Sequence, residues 1–316
     1  MRVVFMGSPE FSVGPLERLV RGGHRVVAVY TRSDRPAGRG RELSVTPVKR
    51  AAMEAGLPVV QPEVFESDEI EHLASLEPDV VLVAAYGKIL PRAVLEIPHC
   101  GCINLHPSLL PRHRGASPVA SAILAGDEFT GVSVMSLDEG MDTGPLLMQA
   151  RIPVASSDTT GSLTEKLSRL SVQLTLSLLS RLQTGDIVSR TQDELQASYC
   201  KQVRRADGEI DWNMPAVDIW RRVRAFYPWP VCRTRWQDKQ LRIIEGIPLP
   251  DNTGVDAGKV ALIDPYEATG KSAFCIGTGR GALGVIKLQM EGKRVLYSGD
   301  FLKGQPDLAG AQLPTN

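Results

Sequence analysis

The chain has 316 residues, 43% of them hydrophobic and 23% charged, which is the balance of an ordinary globular protein, and this length favours two domains over one. Thirty-six basic and 36 acidic residues cancel, so bulk charge neither demands nor excludes a nucleic-acid partner, and local patches must decide. Five cysteines without a Cys-x-x-Cys pair argue against a disulfide framework and for reduced thiols in a cytoplasmic setting.

The first half alternates short apolar runs with helical segments. MRVVFMG opens as a strand, too short and too uncharged at its front for a signal peptide. A helix is expected near 14–21, a strand over 24–31, a helix through 47–55, a short strand in LPVVQP and a helix near 68–76. DVVLVAAYG (79–87) is an almost unbroken β-branched strand, followed by a strand GCINLH (101–106), a helix near 118–125 and a strand TGVSVMSLD (130–138). Leu163, Leu167, Leu170 and Leu174 recur at helical spacing and place a core stripe on a helix over 162–182. Continuous apolar strands separated by helices predict an α/β domain with a doubly wound, mostly parallel, Rossmann-like sheet over residues 1–189.

Residues 190–205 turn polar and are read as a linker. Over 206–316 the pattern becomes six short alternating runs cut by Gly, Asp and Pro (VCRTRWQ, KQLRIIEG, GKVALID, SAFCIGTG, GALGVIKLQ and KRVLYSG), which predicts a small antiparallel barrel or sandwich. The C-terminal PDLAGAQLPTN is expected to fray. No apolar run approaches ~20 residues, so no membrane span is expected.

Several chemistries lack their residues. The first turn is GSPEF rather than GxGxxG, and no GxxxxGK[ST] loop is present. GTGRGALG lies between strands of the β-rich half and is read as a turn. Neither HExxH nor paired Cys/His spacing occurs, so no metal is expected, and GxSxG is missing. What remains is Asn104 and His106, two apart in a strand and therefore on one face, with Ile103 and Leu105 on the other. Taken alone, the pair is equally compatible with polar residues that satisfy backbone at a strand end. Asp142, in a Gly-bracketed loop, offers a carboxylate partner. An amide donor beside a His kept charged by a carboxylate suits a developing oxyanion, and the carboxylate is expected to raise the His pKa. None of the three is a strong nucleophile. Direct attack by a substrate amine on a carbonyl carbon is therefore expected, with the enzyme supplying charge stabilisation and a proton relay.

INLHPSLLPRHRGASP followed by GVSVMSLDEGMDTGP resembles the N10-formyltetrahydrofolate-dependent formyltransferases. The resemblance implies that Asn104, His106 and Asp142 are the catalytic trio and that 10-formyltetrahydrofolate is the formyl donor, with no metal. It also implies that Ser108, Leu109, Leu110 and Pro111 contribute to the folate site. Pro107 stands where some relatives have Gly or Ala, so the amide donor at that position is missing.

The acceptor is suggested elsewhere in the chain. TRSDRPAGRGRELSVTPVK resembles the insertion after the second strand in family members that formylate methionine on charged initiator tRNA. By that resemblance Arg39 reaches toward the acceptor end, with Arg41 beside it. DGEIDWNMPAVDIWRRVRAFYPWP resembles the start of the OB-type C-terminal domain of the same members. Glycinamide ribonucleotide transformylases lack this domain, and amino-sugar formyltransferases lack the PAGRG loop. Lys201, Arg204, Arg205 and Arg222 are then expected to track tRNA phosphates, alongside Arg221 and Arg224. Trp212, Trp220, Trp229 and Trp236 are read as core packing rather than base stacking. A cytoplasmic monomer acting on initiator Met-tRNA is the resulting expectation.

Overall fold

The computed structural model describes residues 1–37, 42–250, 254–263 and 272–315. The chain divides into two compact units. One comprises Met1–Pro118, Glu128–Pro153 and Leu163–Lys201; the other comprises Val119–Asp127, Val154–Ser162 and Gln202–Asn316.

The first unit contains β1 (Arg2–Gly7), β2 (Arg25–Tyr30), a hairpin of β3 (Arg35–Ala37) and β4 (Glu42–Ser44), β5 (Val59–Val60), β6 (Val80–Ala84), β7 (Cys102–His106), β8 (Arg114–Gly115), β9 (Phe129–Ser136), β10 (Leu146–Pro153) and β11 (Tyr199–Cys200). Its main sheet has the order β10-β9-β7-β6-β1-β2-β5. Every pairing from β5 to β7 is parallel. β6 is buried along its whole length, as expected of a β-branched run covered on both faces. The helix Pro47–Glu54 starts where Thr46 accepts a hydrogen bond from the Lys49 amide at 3.0 Å, with Pro47 in the first turn. Leu163, Leu167 and Leu174 are buried on the long helix Thr160–Thr184, and Leu170 is half-buried.

The far edge of the sheet departs from the expectation of parallel strands. β9 runs antiparallel to β7, and β10, which the sequence reading left unassigned, runs antiparallel to β9. Only the short loop 137–145 joins β9 to β10, and so short a connection makes a hairpin rather than a crossover. LLMQARIP carries Gln149 and Arg151 at alternating positions, suited to a half-exposed edge strand and easily passed over. Residues 190–205, read as a linker, include ordered segments of the first unit. Arg190 exchanges backbone hydrogen bonds with Leu146, Gln192 is buried, and β11 pairs in parallel with β8.

The second unit holds the helix Ala216–Ala225 and the strands β12 (Cys232–Trp236), β13 (Lys239–Leu249), β14 (Val260–Leu262), β15 (Phe274–Gly277), β16 (Ala282–Met290) and β17 (Val295–Tyr297). All are antiparallel, in the order β12-β13-β16-β15-β14 with β17 on β16. Among the described residues the pairings run from β12 to β14 without joining those two ends. Trp212, Ile219, Val223, Leu241, Ile243, Phe274 and Leu288 form its buried core. GTGRGALG is the β15–β16 turn, closed by the Thr278 amide on the Gly281 carbonyl at 3.1 Å. Over the described residues 306–315 the C-terminal segment does not fray. Leu308 and Leu313 are buried, and the backbone bonds Val260 to Ala311, Gly310 to Val260 and Leu313 to Gly258 dock it onto β14. Two leucines with a core to enter outweigh the polar, Pro- and Gly-containing composition that suggested a loose tail.

Candidate active site

β7 carries Asn104 and His106 on one face at the carboxyl end of the sheet, with Asn104 opposite Val83 of β6 and His106 opposite Ser133 of β9. His106 is 4% exposed. Its Nε2 lies 3.0 Å from the His113 carbonyl oxygen. A carbonyl only accepts, so Nε2 carries hydrogen and Nδ1 is the nitrogen left for proton exchange. Nδ1 is 3.5 Å from Asp142 Oδ2, so a proton taken up at Nδ1 would face the carboxylate. Burial holds the imidazole below its ordinary value, only partly offset by the Asp142 carboxylate and the His113 carbonyl. The sequence reading expected the opposite direction. The carboxylate is visible in the sequence but the burial of the ring is not, and desolvation disfavours the charged form.

Asp142 sits in the β9–β10 loop with φ of 56°, a left-handed conformation that a non-glycine residue adopts only when its surroundings hold it there. Two such restraints are present. Asp142 Oδ2 accepts the Gly115 amide at 2.8 Å, and its carbonyl accepts Gln192 Nε2 at 2.8 Å. Gly115 has φ of 112°, and a Cβ there would lie 2.4 Å from the Cys200 carbonyl oxygen, so only glycine brings this amide to the carboxylate. The Asn104 side chain is half-buried and has no protein hydrogen-bond partner among the described residues, which leaves its amide for a ligand.

The turn after His106 is built from within. The Ser108 amide donates to the His106 carbonyl at 2.9 Å across Pro107, whose missing amide leaves no donor unsatisfied. Ser108 is fully buried and its Oγ donates to the Arg112 carbonyl at 2.7 Å. Ser133 Oγ donates to the Ser108 carbonyl at 2.7 Å and accepts the Leu110 amide at 3.0 Å. Leu110 packs with Met135 and Leu146. Leu109 and Pro111 are half-buried, and a Cβ at Gly131 would meet Leu109 Cδ2 at 2.6 Å. Ser108 and Leu110 therefore shape the turn, while Leu109 and Pro111 retain accessible surface.

Arg39 and Arg41 lie outside the described residues. The stems of their loop are held. Lys49 Nζ reaches Asp34 Oδ2 at 2.5 Å and Gln61 Oε1 at 2.7 Å, and Gln61 Nε2 donates to the Arg32 carbonyl at 2.6 Å. Lys201, Arg204 and Arg205 are exposed and carry no ion pair among the described residues. Arg222 differs from them. It donates to the Asp207 carbonyl at 2.5 Å and lies over the Phe226 ring at 5.1 Å. Arg224 is buried over Trp220 at 3.9 Å and donates to the Ala155 and Asp158 carbonyls. Trp212 and Trp236 are core residues, whereas Trp229 is 57% exposed. The sequence reading missed Gln192, which lay unmarked in a polar stretch, and assigned no role to Arg114 and Gly115, although both lie within RHRGASP.

No helix among the described residues is long and apolar enough to cross a membrane. No group of three or more His, Cys, Asp or Glu among them could hold a metal ion. The family model "Formyl transferase" matches residues 1–179, and "Formyl transferase, C-terminal domain" matches residues 202–306. The chain is 46% identical to a methionyl-tRNA formyltransferase of Dehalococcoides mccartyi, covering 99% of this chain and 98% of that one. It is 45% identical to the methionyl-tRNA formyltransferase of Chloroflexus aggregans, covering 96% and 97%. Among solved structures, an N-formyltransferase from Helicobacter canadensis in complex with folinic acid and dTDP-3-aminofucose shares the fold at TM-score 0.67 and 17% identity, over 92% of this chain and 100% of that one. HypX from Aquifex aeolicus in complex with tetrahydrofolic acid matches at TM-score 0.60 and 18% identity, over 96% of this chain and 47% of that one.

Proposed function

The chain belongs to the formyl transferase family, and on that premise we infer that it transfers the formyl group of 10-formyltetrahydrofolate to the α-amino group of methionine on charged initiator tRNA. The observation that carries this reading is the buried His106–Asp142 pair, with His106 on the strand that also presents Asn104, whose amide has no protein partner among the described residues. The methionine amine attacks the formyl carbon, and the C=O π electrons move onto oxygen. Asn104 donates to that oxyanion. Neutral His106 takes the amine proton at Nδ1, becomes an imidazolium beside Asp142, and adds positive charge next to the oxyanion. When the C–N10 bond breaks, its electron pair stays on N10, which receives the proton. One N–H is lost at methionine and one gained at tetrahydrofolate, so the transfer needs no oxidant or nucleophilic intermediate.

Support for the donor's position is the turn at Ser108–Pro111, where Ser108 and Leu110 fix the backbone and Leu109 and Pro111 offer apolar surface to the folate. Lys201, Arg204 and Arg205 engage tRNA phosphates, since exposed cations with no ion pair among the described residues gain most from counterion release. Arg222 supports them from beneath by holding the Asp207–Glu209 turn, and Arg39 and Arg41 complete the acceptor-end contacts. The active species is a single chain. Offering 10-formyltetrahydrofolate together with Met-tRNA and, separately, a nucleotide-linked amino sugar tests the reading. Formyl-methionine on tRNA is expected; formylation of the sugar alone would overturn the assignment of the acceptor.

A further inference from the structure

Arg114 is fully buried, and all five of its N–H hydrogens are used. Nε and Nη2 both donate to Gln192 Oε1, at 3.2 and 2.9 Å. Nη1 and Nη2 donate to the two Glu194 oxygens at 2.9 and 2.7 Å, and Nη1 also reaches the Tyr199 hydroxyl at 3.1 Å. Because an arginine only donates, Gln192 must present its oxygen to Arg114 and its nitrogen to the other side. That nitrogen donates to the Asp142 carbonyl at 2.8 Å and the Gly144 carbonyl at 2.7 Å, using both amide hydrogens. The same short strand that supplies Arg114 supplies the Gly115 amide to the Asp142 carboxylate. Thus Asp142 is tied to β8 twice: its carboxylate directly through the Gly115 amide, and its carbonyl through Gln192 and Arg114.

We propose that Gln192, oriented by Arg114, is a positioning residue for the reaction: it clamps the Asp142–Gly144 turn so that the strained Asp142 points its carboxylate at His106 Nδ1. The inference rests on the catalytic reading of Asp142 given above. It assigns a functional task to Gln192 within the ordered 190–200 segment of the first unit. The clamp also accounts for a polar amide being buried there, since an apolar residue would leave two carbonyls and two guanidinium hydrogens without partners.

Gln192→Glu separates this role from a purely structural one. The glutamate keeps the side-chain length and gives Arg114 an acceptor, but has no hydrogen to donate to either carbonyl. The full-length protein is assayed with Met-tRNA and 10-formyltetrahydrofolate, with thermal melting as the measure of folding and Asp142→Asn run in parallel. A folded Q192E enzyme is expected to lose about 10- to 100-fold in kcat, the effect of misplacing a catalytic group. KM for each substrate should stay within about two-fold. Wild-type kcat in folded Q192E, or a rise in KM alone, overturns the proposal. If Q192E does not fold, Gln192→Asn, which keeps the amide but shortens its reach to the two carbonyls, is read by the same criteria. D142N retaining wild-type turnover would instead remove the catalytic premise, so the two failures are distinguishable.

Discussion

In the first unit Arg114 is sealed from solvent with every guanidinium hydrogen matched, whereas in the second unit Arg204 and Arg205 are exposed and carry no ion pair among the described residues. The contrast extends to other polar groups. The first unit buries His106, Ser108, Ser133 and Gln192 at one end of its parallel sheet and satisfies each of them with hydrogen bonds around the corner where His106 meets Asp142. The second unit buries Arg224 and Arg233 to hold its own backbone turns, and leaves other cations facing water. Proton transfer and oxyanion stabilisation need dipoles fixed in a dry site, where they act without reorganising. Phosphate binding gains from cations whose counterions are released on contact, so pairing them inside the protein would defeat it.

Four measurements break or sharpen this division. The largest effect is expected on the structural side of the second unit: Trp212→Ala should cost about 3–5 kcal/mol of stability, the range for truncating a buried aromatic. Trp229→Ala, at a 57% exposed position, should leave the melting temperature nearly unchanged. Equal melting shifts would show that Trp229 is also a core residue.

Next come Asn104→Ala, His106→Ala and Asp142→Asn in the first unit. Each should lower kcat at least ~100-fold, in line with the ~2.7–4 kcal/mol lost with one oxyanion donor. Circular dichroism should show an intact fold. Near-normal turnover in all three would transfer the chemistry elsewhere.

Third, Arg204→Ala and Arg205→Ala should weaken tRNA binding, and each should reduce the slope of log K against log salt by about 1 while folate binding is unchanged. Arg222→Ala should lower the melting temperature instead, because its guanidinium holds the Asp207 carbonyl within the unit. A salt slope that changes for Arg222 and not for the other two would reverse their roles.

The smallest effect is on stability against pH. His106 has a folded pKa below its ordinary 6.5 because burial disfavours the cation. Between the folded and unfolded values the unfolded chain binds more protons. The contribution of His106 is therefore complete above pH 6.5 and is lost as pH falls through the lower folded value. Melting at pH 7.5 and at pH 5.5, about one unit to either side of the histidine reference, should show a drop that is smaller in His106→Asn. An equal drop in both proteins would place the acid sensitivity on other groups.

The sequence by itself determined the parallel part of the sheet, because runs such as VVLVA are apolar on both faces and cannot serve as a one-sided strand. It also located Asn104 and His106 on a common face, since strand periodicity is two and Ile103 and Leu105 must turn into the core. Residue spacing and family resemblance named Asp142 and the formyl donor. The antiparallel edge of the sheet, the docked tail carrying Leu308 and Leu313, and the direction of the His106 shift were decided only by tertiary structure. A hairpin partner, a burial site and a desolvated ring are properties of neighbours distant in the chain. Gln192 illustrates the same limit: its role depends on Arg114 on one side and on the Asp142 and Gly144 carbonyls on the other, partners 78, 50 and 48 residues away that no local pattern could have brought together.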